Sequence, residues 1–341
     1  MGVALKDIAE LLNLSKTTVS WVLSGQGEKK GISKGTQTRV LKCARELSYE
    51  PNLLARSLNT GVSKTIGLIL PSISDSFYAH IAHQIEAEAE KEGYSLMIAS
   101  SNSEIEREDA MIRLFRSKKV DGMIIAPTKI SKREISRLVE DKYPVLLFDR
   151  FFPEMKINYV IINNEESSYL LVSHLIEKGF RKIAIVTTNP HLLTMDMRRE
   201  GYTNALSDFH LHLNPDLYCE IPYVNYQETI YDALDRIFEA VPDVDGFFFT
   251  THILAIEALR YFYDRGIDVD DGTWGLACMH EDSLFRALAP KMNIAQFPIV
   301  EIGQSAVRLL LRQIRSNSDS NAAPFVPESE VVPCRMDFRD K

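Results

Sequence analysis

At 341 residues the chain exceeds what one ordinary hydrophobic core holds, so two or three domains are expected. Apolar content of 45% and charged content of 25% exclude a disordered or fibrous chain. No apolar run approaches the ~18 residues of a membrane span, and the amphipathic, partly acidic opening MGVALKDIAELLNLS argues against a secretory leader. The net charge of −8 conceals an asymmetry: residues 1–64 hold 10 Lys/Arg and 5 Asp/Glu, the remainder 29 and 42. A basic head on an acidic body suits a small module facing phosphates and a body kept away from them.

The first 50 residues read as three short helices. Leu5, Ile8, Ala9 and Leu12 recur at helical spacing and the pattern stops at Asn13. Ser15 offers an N-cap for a second helix through Ser24, with Val19, Val22 and Leu23 inward, and Gly25-Gln26-Gly27 breaks it. Ser33 precedes a third, with Val40, Leu41, Ala44 and Leu47 inward, ending before Glu50-Pro51 because a residue preceding proline avoids the α region. Two helices joined by a tight turn at Asn13-Leu14 form a helix-turn-helix.

From residue 66 the pattern changes. IGLIL (66–70), SLMIAS (95–100), DGMIIA (121–126) and PVLLFD (144–149) are short apolar runs separated by stretches of helical length, such as Phe77–Glu92 with Phe77, Ile81, Ile85 and Ala89 on one face. The alternation restarts at RKIAIV (181–186) and continues through DGFFFT (245–250) and TWGLAC (273–278). Buried strands alternating with helices imply doubly wound parallel sheets, here in two similar lobes. SNSDSNAAP (316–324) reads as a polar loop. The four cysteines are scattered without CxxC spacing and read as free thiols in a reducing compartment. No P-loop, GxGxxG, GxSxG or HExxH motif occurs, and His80/His83 and His210/His212 find no neighbours that complete a metal site, so no cofactor, metal or catalytic role is expected.

LKDIAELLNLSKTTVSWVLSG, ISKGTQTRVLKCARELSYEPNLLARSL, KTIGLILPSISDSFYAHIAHQIEAEAEKEGYSLMIASSNSE, KKVDGMIIAP, VLLFDR, HLIEKGFRKIAIV and FPIVEIGQSAVRLLL together resemble the lactose-repressor (LacI-type) family over most of the chain. The resemblance implies an N-terminal all-α helix-turn-helix headpiece (1–50), a hinge helix or linker (51–63), and an α/β periplasmic-binding-protein-like sensor of two doubly wound lobes (64–341). Because three crossovers join the lobes in this family, it implies lobe one at about 64–162 plus 292–323 and lobe two at about 163–291 plus 324–341. It further implies a bacterial, cytoplasmic, homodimeric transcriptional regulator, a repressor of a carbohydrate-utilisation operon. Double-stranded operator DNA and a small-molecule effector, a sugar or anionic sugar derivative, would be its partners. The competing class, a solute-binding or sensory protein without a DNA role, leaves the basic head unexplained.

A recognition helix presents polar side chains near its N-terminus to base edges in the major groove. Lys16 and Thr17 sit there, with Trp21 one turn on; the resemblance makes all three base-contacting positions. The family commonly has a polar residue where Trp21 stands, which leaves two readings: stacking on a thymine methyl or sugar, or packing inside the module. Thr18, Ser20, Ser24, Ser33 and Thr36 are placed to donate to phosphates, fixing register without reading sequence. The loop between Ser24 and Ile32 is about two residues longer than the family pattern. Asn52-Leu53-Leu54-Ala55-Arg56-Ser57-Leu58 matches the family's hinge helix, in which Leu58 corresponds to the leucine that wedges between base steps, with Asn52, Ala55 and Arg56 alongside.

For the effector cleft the resemblance points to Ser72, Phe77 and Tyr78 after the first strand, to Asp149, and to Thr194 and Arg198 ahead of Gly201-Tyr202. Two family positions depart from pattern. An acidic residue after the FFFTT strand is His252, and a Gly-Tyr-Asp-Asn motif appears as Cys278-Met279-His280-Glu281, so His252 and His280 join the site. Because a histidine near 6.5 is neutral or cationic whereas an aspartate is anionic, His252 beside Arg198 makes the second lobe less anionic. That leaves three readings: an effector bearing a carboxylate, phosphate or sulfate, an ordinary sugar held by a relocated hydrogen bond, or a pocket without ligand.

Overall fold

The computed structural model describes residues 3–49, 61–128, 132–188, 193–222, 225–318 and 325–339. They form two compact units that divide between Ser63 and Lys64.

The N-terminal unit holds α1 (Leu5–Leu12), α2 (Lys16–Leu23) and α3 (Lys34–Glu46) around Ile8, Ala9, Val19, Val22, Val40 and Ala44. Asn13 ends α1 in the left-handed conformation (φ 55°), which asparagine tolerates better than most residues. The Ser15 and Ser33 hydroxyls accept from the amides of Thr18 (3.0 Å) and Thr36 (3.2 Å), capping α2 and α3. Leu41, expected inward, is 41% exposed. The inward stripe is Val40, Cys43, Ala44 and Leu47, and one more residue round the helix leaves that stripe. α3 ends sooner than expected: Ser48 turns left-handed, its amide donates to the Arg45 carbonyl and the Tyr49 amide donates to that of Ala44.

The larger unit contains two six-stranded sheets. The first is built from β1 (Thr65–Leu70), β2 (Ser95–Ser100), β3 (Gly122–Ile125), β4 (Val145–Phe148), β5 (Asn158–Ile162) and β11 (Ser329–Val332), in the order β11-β5-β4-β3-β1-β2 and parallel throughout. The second is built from β6 (Ile183–Thr188), β7 (Tyr218–Ile221), β8 (Gly246–Phe249), β9 (Gly275–Met279), β10 (Asn293–Gln296) and β12 (Arg335–Asp337), in the order β12-β10-β9-β8-β6-β7, with only β12 antiparallel. The helices are α4 (Ser76–Lys91), α5 (Ile105–Ser117), α6 (Arg133–Glu140), α7 (Asn164–Glu177), α8 (Leu193–Asp208), α9 (Tyr226–Ala240), α10 (His252–Asp264), α11 (Phe285–Leu288) and α12 (Ile299–Ser318).

Two lobe boundaries differ from expectation. Residues 293–296 were expected in lobe one, yet β10 pairs with β9 of the second sheet, so the chain crosses between Gln296 and Ile299. Residues from 324 were expected in lobe two, yet β11 lies beside β5 in the first sheet, and the return comes at β12. Side chains explain where α12 lodges. Gln313 accepts from the Val145 amide (3.1 Å) and from Asn158 Nδ2 (3.1 Å), and Leu310 and Ile314 pack where Gly122 leaves room.

In the first lobe Glu108 is 0% exposed. Its Oε2 accepts from the Thr128 amide (2.6 Å) while its Oε1 is buried without a partner. Burial, the largest cause, pushes this carboxyl from 4.5 up to about 7. A folded-state pKa above the unfolded value gives stability that is intact below pH 4.5 and lost as pH rises through 7, on the order of 3 kcal/mol in full. Glu108→Gln, which keeps an acceptor for the Thr128 amide, should therefore flatten the fall in sensor stability between about pH 4.5 and pH 7, read by denaturant unfolding. An unchanged pH profile would contradict this origin.

Candidate functional sites

On the N-terminal unit, Lys16, Thr17 and Ser20 are exposed, and Thr18, Trp21, Ser24 and Thr36 are half-buried. The Thr18 hydroxyl pairs with that of Ser15 (2.8 Å) and the Thr36 hydroxyl with that of exposed Ser33 (2.9 Å), so these groups are committed to the starts of α2 and α3. Ser24 Oγ donates to the Trp21 carbonyl (3.2 Å). Trp21 stands apart from the side chains that pack the headpiece core, which removes the interior reading. The positions Asn52, Ala55, Arg56 and Leu58 lie outside the described residues.

In the larger unit one cavity is lined by Phe77, Tyr78, Asp149, Thr194, Arg198, His252 and His280 together. It is also lined by Asp75, Arg150, Tyr226 and Phe297, which sequence reasoning missed. Asp75 had a legible signal, an acidic residue in the N-cap position of a helix beginning near Phe77. Phe297 had none, since it lies in a crossover distant in sequence. Ser72 does not line the cavity. Its hydroxyl bonds the Ser74 hydroxyl (2.8 Å) and amide (3.2 Å) within its own loop, and the chain turns so that Asp75 caps α4 instead, accepting from Phe77 N (2.9 Å) and Tyr78 N (3.4 Å).

Arg198 is the more deeply buried of the cavity's two arginines, 4% exposed against 8% for Arg150. Its Nε donates to Asn164 Oδ1 (2.7 Å), one terminal nitrogen donates to the Thr250 carbonyl (2.6 Å), and its guanidinium lies 5.5 Å from the Phe297 ring centre. Gly201 makes this possible. A Cβ there would stand 2.1 Å from the Glu165 carbonyl oxygen, so only glycine lets α8 approach α7 closely enough for Arg198 to reach Asn164.

Across the cavity, Tyr78 OH donates to Asp149 Oδ2 (2.7 Å), with Arg150 Nε 3.7 Å from the same oxygen. Asp149 follows β4 with φ 60° and its amide donates to the Val160 carbonyl of β5 (3.1 Å). His280 follows β9 with φ 78° and its amide donates to the Ala295 carbonyl of β10 (3.1 Å). The two residues occupy equivalent places in the two sheets. Left-handed backbone is disfavoured for both, and strain of this kind concentrates at sites where side-chain placement matters.

The lobes also touch directly. Ser76 Oγ donates to Asp282 Oδ2 (3.1 Å) and lies 3.4 Å from His252 Nε2, which is 3.6 Å from Asp75 Oδ1. Burial lowers the pKa of His252, against the opposing pull of Asp75 and Asp282, and raises that of Asp75. Burial lowers His280 well below its ordinary value, and His252 and Arg198 add to that. Both imidazoles are thus held toward the neutral form, and of the two states open to His252 from the sequence the neutral one is favoured. His280 packs edge-on to Phe77 (5.1 Å between ring centres) and against Phe297 (4.8 Å), and its Nδ1 is buried without a partner.

A basic three-helix head and a body whose strands end on a cavity lined by aromatic and charged side chains define a DNA-binding regulator that answers to a small molecule. Residues 4–52 match the model for bacterial regulatory proteins of the lacI family. Residues 63–323 match that for periplasmic binding proteins and the sugar binding domain of the LacI family. The chain belongs to this family of transcriptional regulators. It is 27% identical over 333 residues to the HTH-type transcriptional repressor PurR of Aliivibrio fischeri (strain MJ11), covering 96% of each. It is 28% identical over 330 residues to the ribose operon repressor of Haemophilus influenzae, again covering 96% of each. Its fold matches the lac repressor dimer bound to operator and the anti-inducer ONPF at TM-score 0.84 and 20% identity, covering 100% of this chain and 99% of that one. It also matches the transcriptional regulator CelR–cellobiose complex at 0.72 and 21%, covering 99% of each.

His252 and His280 lie against Asp75, Ser76 and Phe77 of the opposite lobe and are held below their ordinary value near 6.5. Protonating them below that value works against this arrangement of the lobes, with the raised pKa of Asp75 opposing part of the effect. Acidification from pH 7 to pH 5 should expand the ligand-free protein in small-angle scattering. His252→Gln combined with His280→Gln should remove most of that change. Equal expansion in the variant would show that other groups open the lobes.

Proposed function

We propose that the protein is a homodimeric repressor of a carbohydrate-utilisation operon in the bacterial cytoplasm, with no catalytic role, released from or fixed to a near-palindromic operator by a small, uncharged, polyhydroxylated effector. The two-fold symmetry of a dimer calls for matching half-sites in the DNA. The repressor and sugar-complex names among the relatives and structural neighbours support the regulatory part of this reading.

The cavity's charge balance carries the effector class. Asp75 and Asp149 stand against Arg150 and Arg198, and the two imidazoles are neutral. An anion entering this space meets two carboxylates that offset the two guanidiniums, and two of the five Arg198 N–H donors are already engaged by Asn164 and Thr250. A sugar offers both donors and acceptors: hydroxyls for Asp149, Thr194 and the imidazoles, and ring C–H faces for Phe77 and Phe297. Of the readings open from residue types alone, this favours an ordinary sugar over an anionic effector.

Calorimetry with matched neutral and phosphorylated sugars should find binding only among the neutral ones. Asp149→Asn should weaken that binding at least tenfold, ~1.4 kcal/mol, without changing DNA affinity in gel shifts. Binding confined to phosphorylated sugars would overturn the proposed effector class.

A further inference from the structure

The segment between α2 and α3 is an ordered element in its own right. The amides of Lys30, Gly31 and Ile32 donate to the carbonyls of Gln26 (3.0 Å), Glu28 (3.0 Å) and Gly27 (2.9 Å), winding residues 26–32 into a helical turn. The turn is docked on α3: Gln37 Nε2 donates to the Ile32 carbonyl (2.7 Å), and a Cβ on Gly27 would lie 2.7 Å from Gln37 Cδ. It is also tied to α2, since the Gln26 amide donates to the Trp21 carbonyl (2.8 Å). The consequence is the position of Lys30, whose ammonium lies 5.1 Å from the centre of the Trp21 ring.

The other headpiece lysines show what is unusual about this one. Lys6 and Lys42 pair with Glu10 and Glu46 one turn along their own helices. Among the described residues, Lys16, Lys29, Lys30 and Lys34 make no ion pair, and Glu28 pairs with neither of its lysine neighbours. Among the described residues the unpaired lysines therefore gather at the start of α2, the start of α3 and the turn between these helices, while Arg39 and Arg45 stand unpaired further along α3. Trp21, half-buried and outside the core, is the large side chain among them.

We propose that Lys30 and Trp21 act as one DNA-contacting unit, in which the indole holds the ammonium in place to take a backbone phosphate while the exposed edge of the ring meets the adjoining base or sugar. This rests on the reading that the exposed face of α2 meets duplex DNA. A flexible lysine free in water loses side-chain entropy when it binds a phosphate, whereas one already seated on an aromatic face has been ordered beforehand. The longer turn is what brings that lysine over the ring. Trp21, standing where polar residues are usual, thereby gains a charge that its own side chain lacks.

The test uses the full-length protein and two fluorescently labelled duplexes of equal length, one recovered by selection from a random pool with the wild-type protein and one of random sequence. Each neutralised phosphate contributes about 0.9 to the slope of log K against log salt. Lys30→Gln should lower that slope by about 0.9 on both duplexes, with unchanged thermal unfolding. Trp21→Phe should reduce the preference for the selected duplex, and the double variant should lose less than the sum of the single losses. A Lys30→Gln slope equal to wild type, or strictly additive losses in the double variant, would overturn the proposal. Wild-type protein that binds neither duplex would instead overturn the underlying DNA reading.

Discussion

A cation buried between two lobes must be satisfied without bulk water, and the sensor is organised around that requirement. Taking a guanidinium out of water costs several kcal/mol unless hydrogen bonds and countercharge offset the loss. Arg198 draws these from separate parts of the chain: the Asn164 side chain at the start of α7, the Thr250 carbonyl beyond β8, and the face of Phe297 in a crossover. Asp149, across the cavity, supplies the largest electrostatic support. Close packing of α8 on α7 through Gly201 is the geometric condition for all of it. A change that moves any of these segments changes the environment of the same charge.

The near-equivalence of the two sheets gives the cavity its form. Asp149 and His280 stand at matching strand ends, each with left-handed backbone and each held by a hydrogen bond to the neighbouring strand. One presents a carboxylate already engaged by Tyr78, the other a neutral ring with a buried, unpartnered nitrogen. Ser76, Asp282, His252 and Asp75 then close the gap between lobes with direct polar contacts. Closure is balanced by weak groups whose protonation and partners can change, which is a suitable basis for a device with two arrangements.

Local chemistry was legible in the sequence, and long-range chemistry was not. Ser15, Ser33 and Asn13 marked helix boundaries because capping acts over three or four residues. The Arg198–Tyr202 run marked the cavity cation through its resemblance to the family's Arg-x-x-Gly-aromatic run, not through any local periodicity. Membership of β10 and β11 was misassigned because strand pairing across a crossover leaves no local periodicity to read. Which charge state His252 takes was not legible for a related reason: a pKa depends on burial and neighbours, and Asp75 and Ser76 of the opposite lobe lie against this ring.

In the proposed regulator one cavity in the body and one face of the head share a free energy. Coupling between two sites is reciprocal, so a ligand that alters DNA affinity by some factor must have its own affinity altered by that factor. The most direct measurement pairs two titrations on the same preparation: operator affinity with and without saturating sugar, and sugar affinity with and without saturating operator. The account predicts equal factors, both different from one, and both collapsing to one when Arg198 is replaced by methionine. Sugar affinity indifferent to operator, alongside intact binding of each alone, would contradict it.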